Sequence, residues 1–150
     1  MPAVALIWLR HEPAGGRDLV LWLFLVVWAA DSGAYAIGRL AGGPRLAPTI
    51  SPGKTWSGFI GGLVAATLAA VVVAGLFDIK GLAWAGLGGF VLAVATSAGD
   101  LVESAAKRHF VAKDTGRLIP GHGGLLDRID GLLVAAVAVC VLWMTGWRWV

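Results

Sequence analysis

The sequence predicts an all-α fold: a polytopic integral membrane helix bundle, with about four transmembrane helices plus a cytoplasmic loop and helix segment. Of the 150 residues, 58% are hydrophobic and only 14% are charged, whereas soluble domains carry about 25% charged residues. The mean hydropathy is +0.80, and several apolar runs approach the ~20 residues that a helix needs to cross a bilayer. Isolated strands cannot satisfy their backbone in lipid, so every span should be a helix.

Four apolar segments are each expected to form one spanning helix, and the third should continue beyond the membrane toward Phe110. The apolar run at the N-terminus is too short to span. We therefore expect one membrane-embedded domain, residues 1–150, in which residues 1–18 form an N-terminal stub. The predicted spans are residues 19–40, 56–77, 81–102 and 131–150.

The basic residues predict the orientation of these spans. Eight of the 12 Lys and Arg residues fall in or beside two loops, one joining the first two spans and one joining the last two. Because an excess of Lys and Arg marks cytoplasmic loops, both loops should face the cytoplasm. Tryptophans near the ends of apolar runs are expected to anchor the chain at the membrane interface: Trp56, Trp143, Trp147 and Trp149.

The first polar constellation lies within the first span. On a helix, Asp31, Tyr35 and Arg39 are spaced i, i+4, i+8 and share one face. A carboxylate inside a span costs about 2.5–3.5 kcal/mol even on a mild insertion scale, so it normally faces a polar cavity. Asp31 is thus a candidate functional residue, although a structural link to Arg39 would also explain it.

The second constellation is Ser51-Pro52-Gly53-Lys54-Thr55, just before the second span. A P-loop is excluded, because that motif needs a glycine where this chain has Pro48. The segment still suits phosphate, since a glycine permits close backbone approach and a helix N-terminus favours anions. The alternative is an ordinary helix cap beside a lysine that only reflects the excess of basic residues in cytoplasmic loops.

The third constellation begins at Asp100 and extends to Asp130. Asp127 and Asp130 are spaced i, i+3, so a helical turn places both on one side, where Asp100 can approach them. Three carboxylates without thiols suit a hard cation such as Mg²⁺, and the identity of any second cation is left open. Neighbouring basic residues suit a polyphosphate. Taken singly, Glu103 and Lys107 could be a simple helix ion pair.

These residues resemble the signature of the phosphatidate cytidylyltransferase (CDP-diacylglycerol synthase) family, in its C-terminal catalytic portion. The resemblance covers about residues 19–150, and the signature's spacing is kept throughout. Its blocks stand here as Ser104, Lys107-Arg108, Lys113-Asp114, Pro120-Gly121-His122-Gly123-Gly124 and Asp127-Arg128-Ile129-Asp130, with upstream blocks at residues 30–35 and 46–56.

The resemblance implies an enzyme of phospholipid biosynthesis in the cell's inner membrane, with its active site at the cytoplasmic face. CTP and phosphatidic acid would give CDP-diacylglycerol and pyrophosphate. Asp100, Asp127 and Asp130 would hold Mg²⁺. The catalytic candidates are Asp31, Lys107, Arg108, Lys113, Asp114, His122 and Arg128. The candidates for binding CTP or phosphate are Ser51, Lys54, Thr55, Ser104, Gly123 and Gly124.

Three alternatives stay open at this point. A related CTP-dependent lipid kinase or isoprenoid-lipid cytidylyltransferase would share the handling of metal and triphosphate. A cation transporter could use Asp31 and Asp100 as ligands, although the nearby basic cluster opposes it. The chain could also be an inactive truncated copy. Expected partners are CTP, phosphatidic acid and the bilayer, with no nucleic acid. Gly58 and Gly62 have a GxxxG spacing, which predicts close contact between helices, and the glycine-rich spans also allow a homodimer.

Overall fold

The structure is a computed structural model that describes residues 2–12, 15–78, 81–109 and 126–146, with the backbone alone at residues 2, 109 and 126–130. Within these ranges the chain forms five helices and one β-hairpin. In chain order the elements are α1 (Pro2–Arg10), α2 (Gly16–Ala41), β1 (Arg45–Ala47), β2 (Ser51–Thr55), α3 (Trp56–Leu76), α4 (Leu82–His109) and α5 (Leu126–Met144).

Helices α2, α3 and α4 are long and apolar enough to cross a membrane, with mean hydropathies of 1.7, 2.4 and 1.5 over their most apolar windows. At 1.5 Å per residue, the 28 residues of α4 extend about 42 Å, beyond the ~30 Å hydrocarbon layer. The continuation of this helix to His109 confirms the expected extension. The fourth predicted span corresponds to α5, whose segment 131–144 is a shorter apolar helix. The membrane helix bundle is therefore confirmed.

The core lies between the helices and is made of large side chains at a few points and small ones elsewhere. Leu9 of α1, Trp22 of α2 and Leu92 of α4 are almost completely buried. The indole Nε1 of Trp22 donates a hydrogen bond to the carbonyl oxygen of Ala70, at 3.0 Å. This bond fixes α2 against α3 in the apolar interior, where an unpaired indole N–H would be costly.

Trp143 corrects one expectation. Its side chain is only 1% exposed and belongs to the core, so the prediction that it anchors the chain at the interface was wrong. A position near the end of an apolar run does not settle which side of the helix faces the bundle. Trp56 is 48% exposed, as an interfacial residue would be. Trp147 and Trp149 lie outside the described residues.

The outward surface of α3 is as apolar as its packed surface. Five aliphatic residues four positions apart form one exposed stripe, each between 54% and 75% exposed. A helix that is apolar on all sides is either buried in protein or surrounded by lipid, and lipid fits this exposure. The stripe consists of Ile60, Val64, Leu68, Val72 and Leu76.

Small residues bring α2 and α3 close together, as the Gly58–Gly62 spacing predicted. A Cβ added to Gly58 would lie 2.8 Å from the carbonyl oxygen of Ala34, and one added to Gly62 would lie 3.0 Å from that of Ala30. Such distances leave room only for hydrogen. The helices can therefore approach until their backbones touch, which is the usual basis of small-residue packing in membranes.

The β-hairpin was not predicted. β1 pairs antiparallel with β2, with Arg45 opposite Thr55 and Ala47 opposite Ser51. The register shifts between these two pairs, where Pro52 has no N–H to contribute to the ladder. The hairpin joins α2 to α3 and lies beside the C-terminal part of α4, so it forms one wall of the site described next.

Candidate active site

A cavity of about 790 Å³ opens at the hairpin end of the bundle. Its wall includes residues of α2, both strands, α3 and α4, and Gly131 of α5. The floor is small and apolar, formed by residues such as Ala30, Gly62 and Ala93, and the upper wall is polar. A volume of this size is typical of pockets for small ligands and cofactors.

Helix α2 contributes the first polar row. Asp31, Tyr35 and Arg39 all line the cavity, which confirms that they share one helical face. Arg39 Nη1 donates a hydrogen bond to the hydroxyl oxygen of Tyr35 at 3.2 Å. Within the described part of the chain Asp31 and Arg39 form no ion pair, so the structural link considered above is not the role of Asp31.

The hairpin contributes Lys54, whose ammonium group forms an ion pair with the carboxylate of Asp100 on α4. The side chains are 27% and 43% exposed, respectively. The pair joins two elements that are distant in sequence, and both partners line the cavity. Two predicted site residues, one proposed for phosphate and one for metal, are thus in direct contact.

Thr55 ends the hairpin and begins α3 as its N-cap. Its hydroxyl oxygen accepts a hydrogen bond from the backbone N–H of Gly58 at 3.1 Å, as expected for a Thr at this position. Ser57 donates to the carbonyl oxygen of Gly42 and lies 3.0 Å from the Thr55 hydroxyl. These bonds fix the glycine turn that follows α2 against the start of α3.

The end of α4 carries the next basic pair. Lys107 forms an ion pair with Glu103 at 2.6 Å, the simple helix pair considered from the sequence. Arg108 donates from Nε to the carbonyl oxygen of Ile50, at the turn of the hairpin. Arg108 therefore ties the hairpin to α4, while Lys54 ties it again through Asp100.

Several predicted site residues are brought together and others are not. Asp31, Lys54, Thr55 and Asp100 line the cavity. Among the described residues, four further candidates do not line it: Ser51, Ser104, Lys107 and Arg108. Another five fall outside the described residues: Lys113, Asp114, His122, Gly123 and Gly124.

The predicted metal ligands are placed only in part. Asp127, Arg128 and Asp130 lie at the start of α5, where the structure describes the backbone alone. The next residue, Gly131, lines the cavity that Asp31 and Asp100 also line. The described side chains contain no group of three or more His, Cys, Asp or Glu that could hold a metal ion. The three-carboxylate site stays a prediction.

Comparison with known sequences settles the family. The model of the cytidylyltransferase family matches residues 1–145. The chain belongs to the cytidylyltransferase family. Its membership covers α1 to α5 and therefore every element that contributes to the cavity.

Individual relatives of this cytidylyltransferase family member agree. A Brucella suis protein named phosphatidate cytidylyltransferase is 48% identical over 134 residues, which are 89% of this chain and 50% of the relative. The Haemophilus influenzae protein of that name is 48% identical over 130 residues, 83% of this chain and 45% of the relative. The Mycobacterium bovis protein is 45% identical over 131 residues, 87% and 42% respectively. The chain thus spans about half the length of these curated relatives.

Sequence reasoning left Arg45 and Ser97 out of the predicted site and gave Arg39 no binding role, yet all three line the cavity. Ser97 lies one helical turn before Asp100, a spacing that could have placed it on the same face. Arg39 follows Asp31 by eight residues and shares its face. No local signal could have found Arg45, because only the hairpin turns it toward the bundle.

Proposed function

We propose that this chain forms a site that transfers CMP from CTP to phosphatidic acid, giving CDP-diacylglycerol and pyrophosphate. Support comes from membership of the cytidylyltransferase family and from relatives named phosphatidate cytidylyltransferase. The observation that carries the proposal is the Lys54–Asp100 pair at the wall of a polar cavity. The pair places an ammonium group that can bind phosphate beside a carboxylate, at the end of an apolar helix bundle. A soluble nucleotide and a membrane lipid can both reach this position.

The reaction needs no nucleophile from the protein. An oxygen of the lipid phosphate attacks the α-phosphorus of CTP, forming a new P–O bond. The bond between that phosphorus and the oxygen leading to the β-phosphate breaks, and pyrophosphate leaves with the electron pair. Because the attacking phosphate is already anionic, the residues mainly position the reactants and stabilise charge.

Three of the described polar residues have roles consistent with this reaction: Lys54, Thr55 and Asp100. Lys54 would bind the triphosphate, and its ion pair with Asp100 keeps the ammonium group at the cavity until the substrate enters. Thr55 lines the cavity at the N-terminus of α3, where the helix dipole would favour a phosphate oxygen. The apolar floor would exclude water, which is the competing nucleophile for the activated phosphorus.

The donor set of the cavity suits a divalent cation. Asp31 and Asp100 supply carboxylate oxygens to the same cavity, and its described lining contains neither cysteine nor histidine. Hard oxygen ligands of this kind favour Mg²⁺. Asp100 would hold the cation with Asp127 and Asp130, and Mg²⁺ would supply positive charge that draws the phosphate groups together.

The location follows from the charge distribution. The hairpin and the end of α4 lie together at one end of the bundle, joined by the bond from Arg108 to Ile50. Both belong to the loops that the excess of Lys and Arg assigns to the cytoplasm. We therefore place the site at the cytoplasmic face of the inner membrane, where CTP is available.

The test is incorporation of radiolabelled CTP into chloroform-soluble lipid by membranes that contain the chain. We expect Mg²⁺-dependent labelling with phosphatidic acid and a loss of about 100-fold or more in Asp100→Asn. Asp18→Asn is the matched control, because Asp18 lies at the far end of α2 in a pair with Arg17. CTP labelled at the α-phosphorus reports CMP transfer; labelling of a polyisoprenol from CTP labelled at the γ-phosphorus, without labelling of phosphatidic acid from the α-label, would instead identify a lipid kinase.

A further inference from the structure

The basic residues that line the cavity differ in their partners. Lys54 is neutralised by Asp100. Two guanidinium groups also line the cavity, Arg39 from α2 and Arg45 from β1. Within the described part of the chain neither arginine has a carboxylate partner, whereas Arg17, Lys54 and Lys107 each have one. Among the described residues, the positive charge of these two arginines is therefore not paired with a carboxylate.

Both arginines are held by neutral oxygens. Arg39 donates one bond, to the Tyr35 hydroxyl, and Arg45 donates one from Nη1 to the carbonyl oxygen of Gly53 at 3.5 Å. A guanidinium carries five N–H donors in a fixed fork, and this geometry matches two oxygens of a phosphate group. Among the described residues each arginine thus has one hydrogen-bond partner, and its remaining donors have none there.

The space between the two arginines is kept open by the backbone. Gly42 and Gly43, which separate α2 from β1, both line the cavity and have φ angles of 60° and 100°. A Cβ at either residue would meet nothing within 4 Å. The chain here turns without side chains, which leaves room for a bulky anionic group beside Arg39 and Arg45.

The surroundings of Arg39 indicate which anion it binds. Arg39 lies in the last turn of α2, about 12 Å along the helix from Asp31. Its neighbours Ile37 and Leu40 are 42% and 84% exposed, so an apolar helix surface leads directly to this arginine. At such a position the charged end of an arginine reaches the membrane interface from an apolar surface, and lipid head groups occupy that same interface.

We infer that Arg39 and Arg45 form a subsite for the phosphate monoester of the lipid substrate, while Lys54 and Asp100 serve the nucleotide. This inference rests on the proposed function and adds the division of the cavity between its two substrates. It also makes Tyr35 a positioning residue, because its hydroxyl orients the guanidinium of Arg39.

A purely structural role for Arg39 makes a different prediction. A cation in the last turn of a helix interacts favourably with the helix dipole. Loss of that interaction would lower stability slightly and equally for every substrate. The lipid subsite predicts instead a change confined to the lipid, so the two roles separate in a kinetic measurement.

The kinetic test varies one substrate at a time in mixed micelles. For Arg39→Gln and for Arg45→Gln we expect the KM for phosphatidic acid to rise about tenfold, as the loss of one charge-assisted hydrogen bond implies. The KM for CTP should change less than about twofold. Arg39→Lys should restore part of the loss, since it keeps the charge but not the fork. Arg17→Gln, on the same helix but paired with Asp18, is the matched control.

A binding test works without turnover. Short-chain dioctanoyl phosphatidate should raise the melting temperature of the wild-type chain and of Arg17→Gln, but not that of Arg39→Gln. Dioctanoyl phosphatidylcholine, which lacks the monoester, and inorganic phosphate, which lacks the lipid, should give no comparable rise. Equal stabilisation by inorganic phosphate would reduce the subsite to a general anion site and overturn the assignment to lipid.

The two tests separate this inference from the proposed function. If the wild type labels phosphatidic acid but Arg39→Gln shows the wild-type KM for lipid, the subsite is refuted and the activity stands. A raised KM for CTP in Arg39→Gln or Arg45→Gln would refute the division of the cavity. If phosphatidate binds through the arginines but no CTP is consumed, the proposed reaction fails and the subsite stands.

Discussion

The contact between α2 and α3 gives the sharpest prediction, because it builds one wall of the cavity. Gly58 lines the cavity and packs directly on the backbone of α2. In Gly58→Ala the new Cβ would lie 2.8 Å from the carbonyl oxygen of Ala34, 3.1 Å from Oγ1 of Thr55 and 3.2 Å from Cα of Gly38. The nearest obstacle belongs to the backbone, which no change of rotamer can move, so the two helices must separate.

The size of the effect follows from these distances. The carbonyl oxygen of Ala34 must retreat by about 0.6 Å to reach 3.4 Å, where ordinary contact begins. Overpacking of this kind costs about 1–3 kcal/mol, and the better helix propensity of alanine offsets about 0.5–1 kcal/mol of it. We therefore expect Gly58→Ala to lower the free energy of unfolding by about 1–2 kcal/mol. For a chain of this length that corresponds to a melting temperature about 2–8 °C lower.

Gly75→Ala is the matched control in the same helix. A Cβ at Gly75 would have as its nearest neighbour Cδ2 of Leu82, at 4.0 Å, so it meets no obstacle. Only the gain in helix propensity remains, and we expect this variant to be more stable than the wild type by about 0.5–1 kcal/mol. The two Gly→Ala changes should thus shift stability in opposite directions.

The assay uses Cys140, the only cysteine of the chain, which is partly buried. Thermal unfolding in detergent is followed by its reaction with a thiol-specific fluorophore, and CMP transfer is measured on the same preparations. Displacement of Ala34 should also lower transfer on the order of tenfold, because catalysis depends on sub-ångström positioning. A Gly58→Ala variant that melts at or above the wild-type temperature would show that the helices are not in backbone contact.

Three further predictions concern other contacts. Lys54→Gln should lower CMP transfer at least tenfold but the free energy of unfolding by only about 0.2–1 kcal/mol, since the ion pair with Asp100 is partly exposed. A transfer rate equal to wild type would contradict the proposed role of Lys54 in binding the triphosphate. Trp22→Phe should cost about 1–3 kcal/mol in thermal unfolding, because the buried carbonyl of Ala70 loses its indole donor; an unchanged melting temperature would argue against that bond. Thr55→Ala should cost about 1 kcal/mol through loss of the α3 N-cap, with Thr55→Ser close to wild type; equal melting temperatures for the two variants would exclude the cap.

The sequence was sufficient for the fold class and for one face of the site. Apolar runs of ~20 residues can satisfy their backbone in lipid only as helices, so α2, α3 and α4 follow from composition and length. The helical period then places Asp31, Tyr35 and Arg39 on one face, because residues four apart lie one above the other. The small-residue spacing at Gly58 and Gly62 likewise predicted a close contact between helices.

The tertiary structure decided what lies across from that face. The hairpin could not be read from residues 45–55, because its strands are short, one contains Pro52, and their pairing depends on the helices at both ends. The pairing of Lys54 with Asp100 and the inward position of Arg45 both follow from that hairpin. Local patterns fix the conformation of a segment, but contacts between residues about 50 positions apart depend on packing, which no spacing in the sequence records.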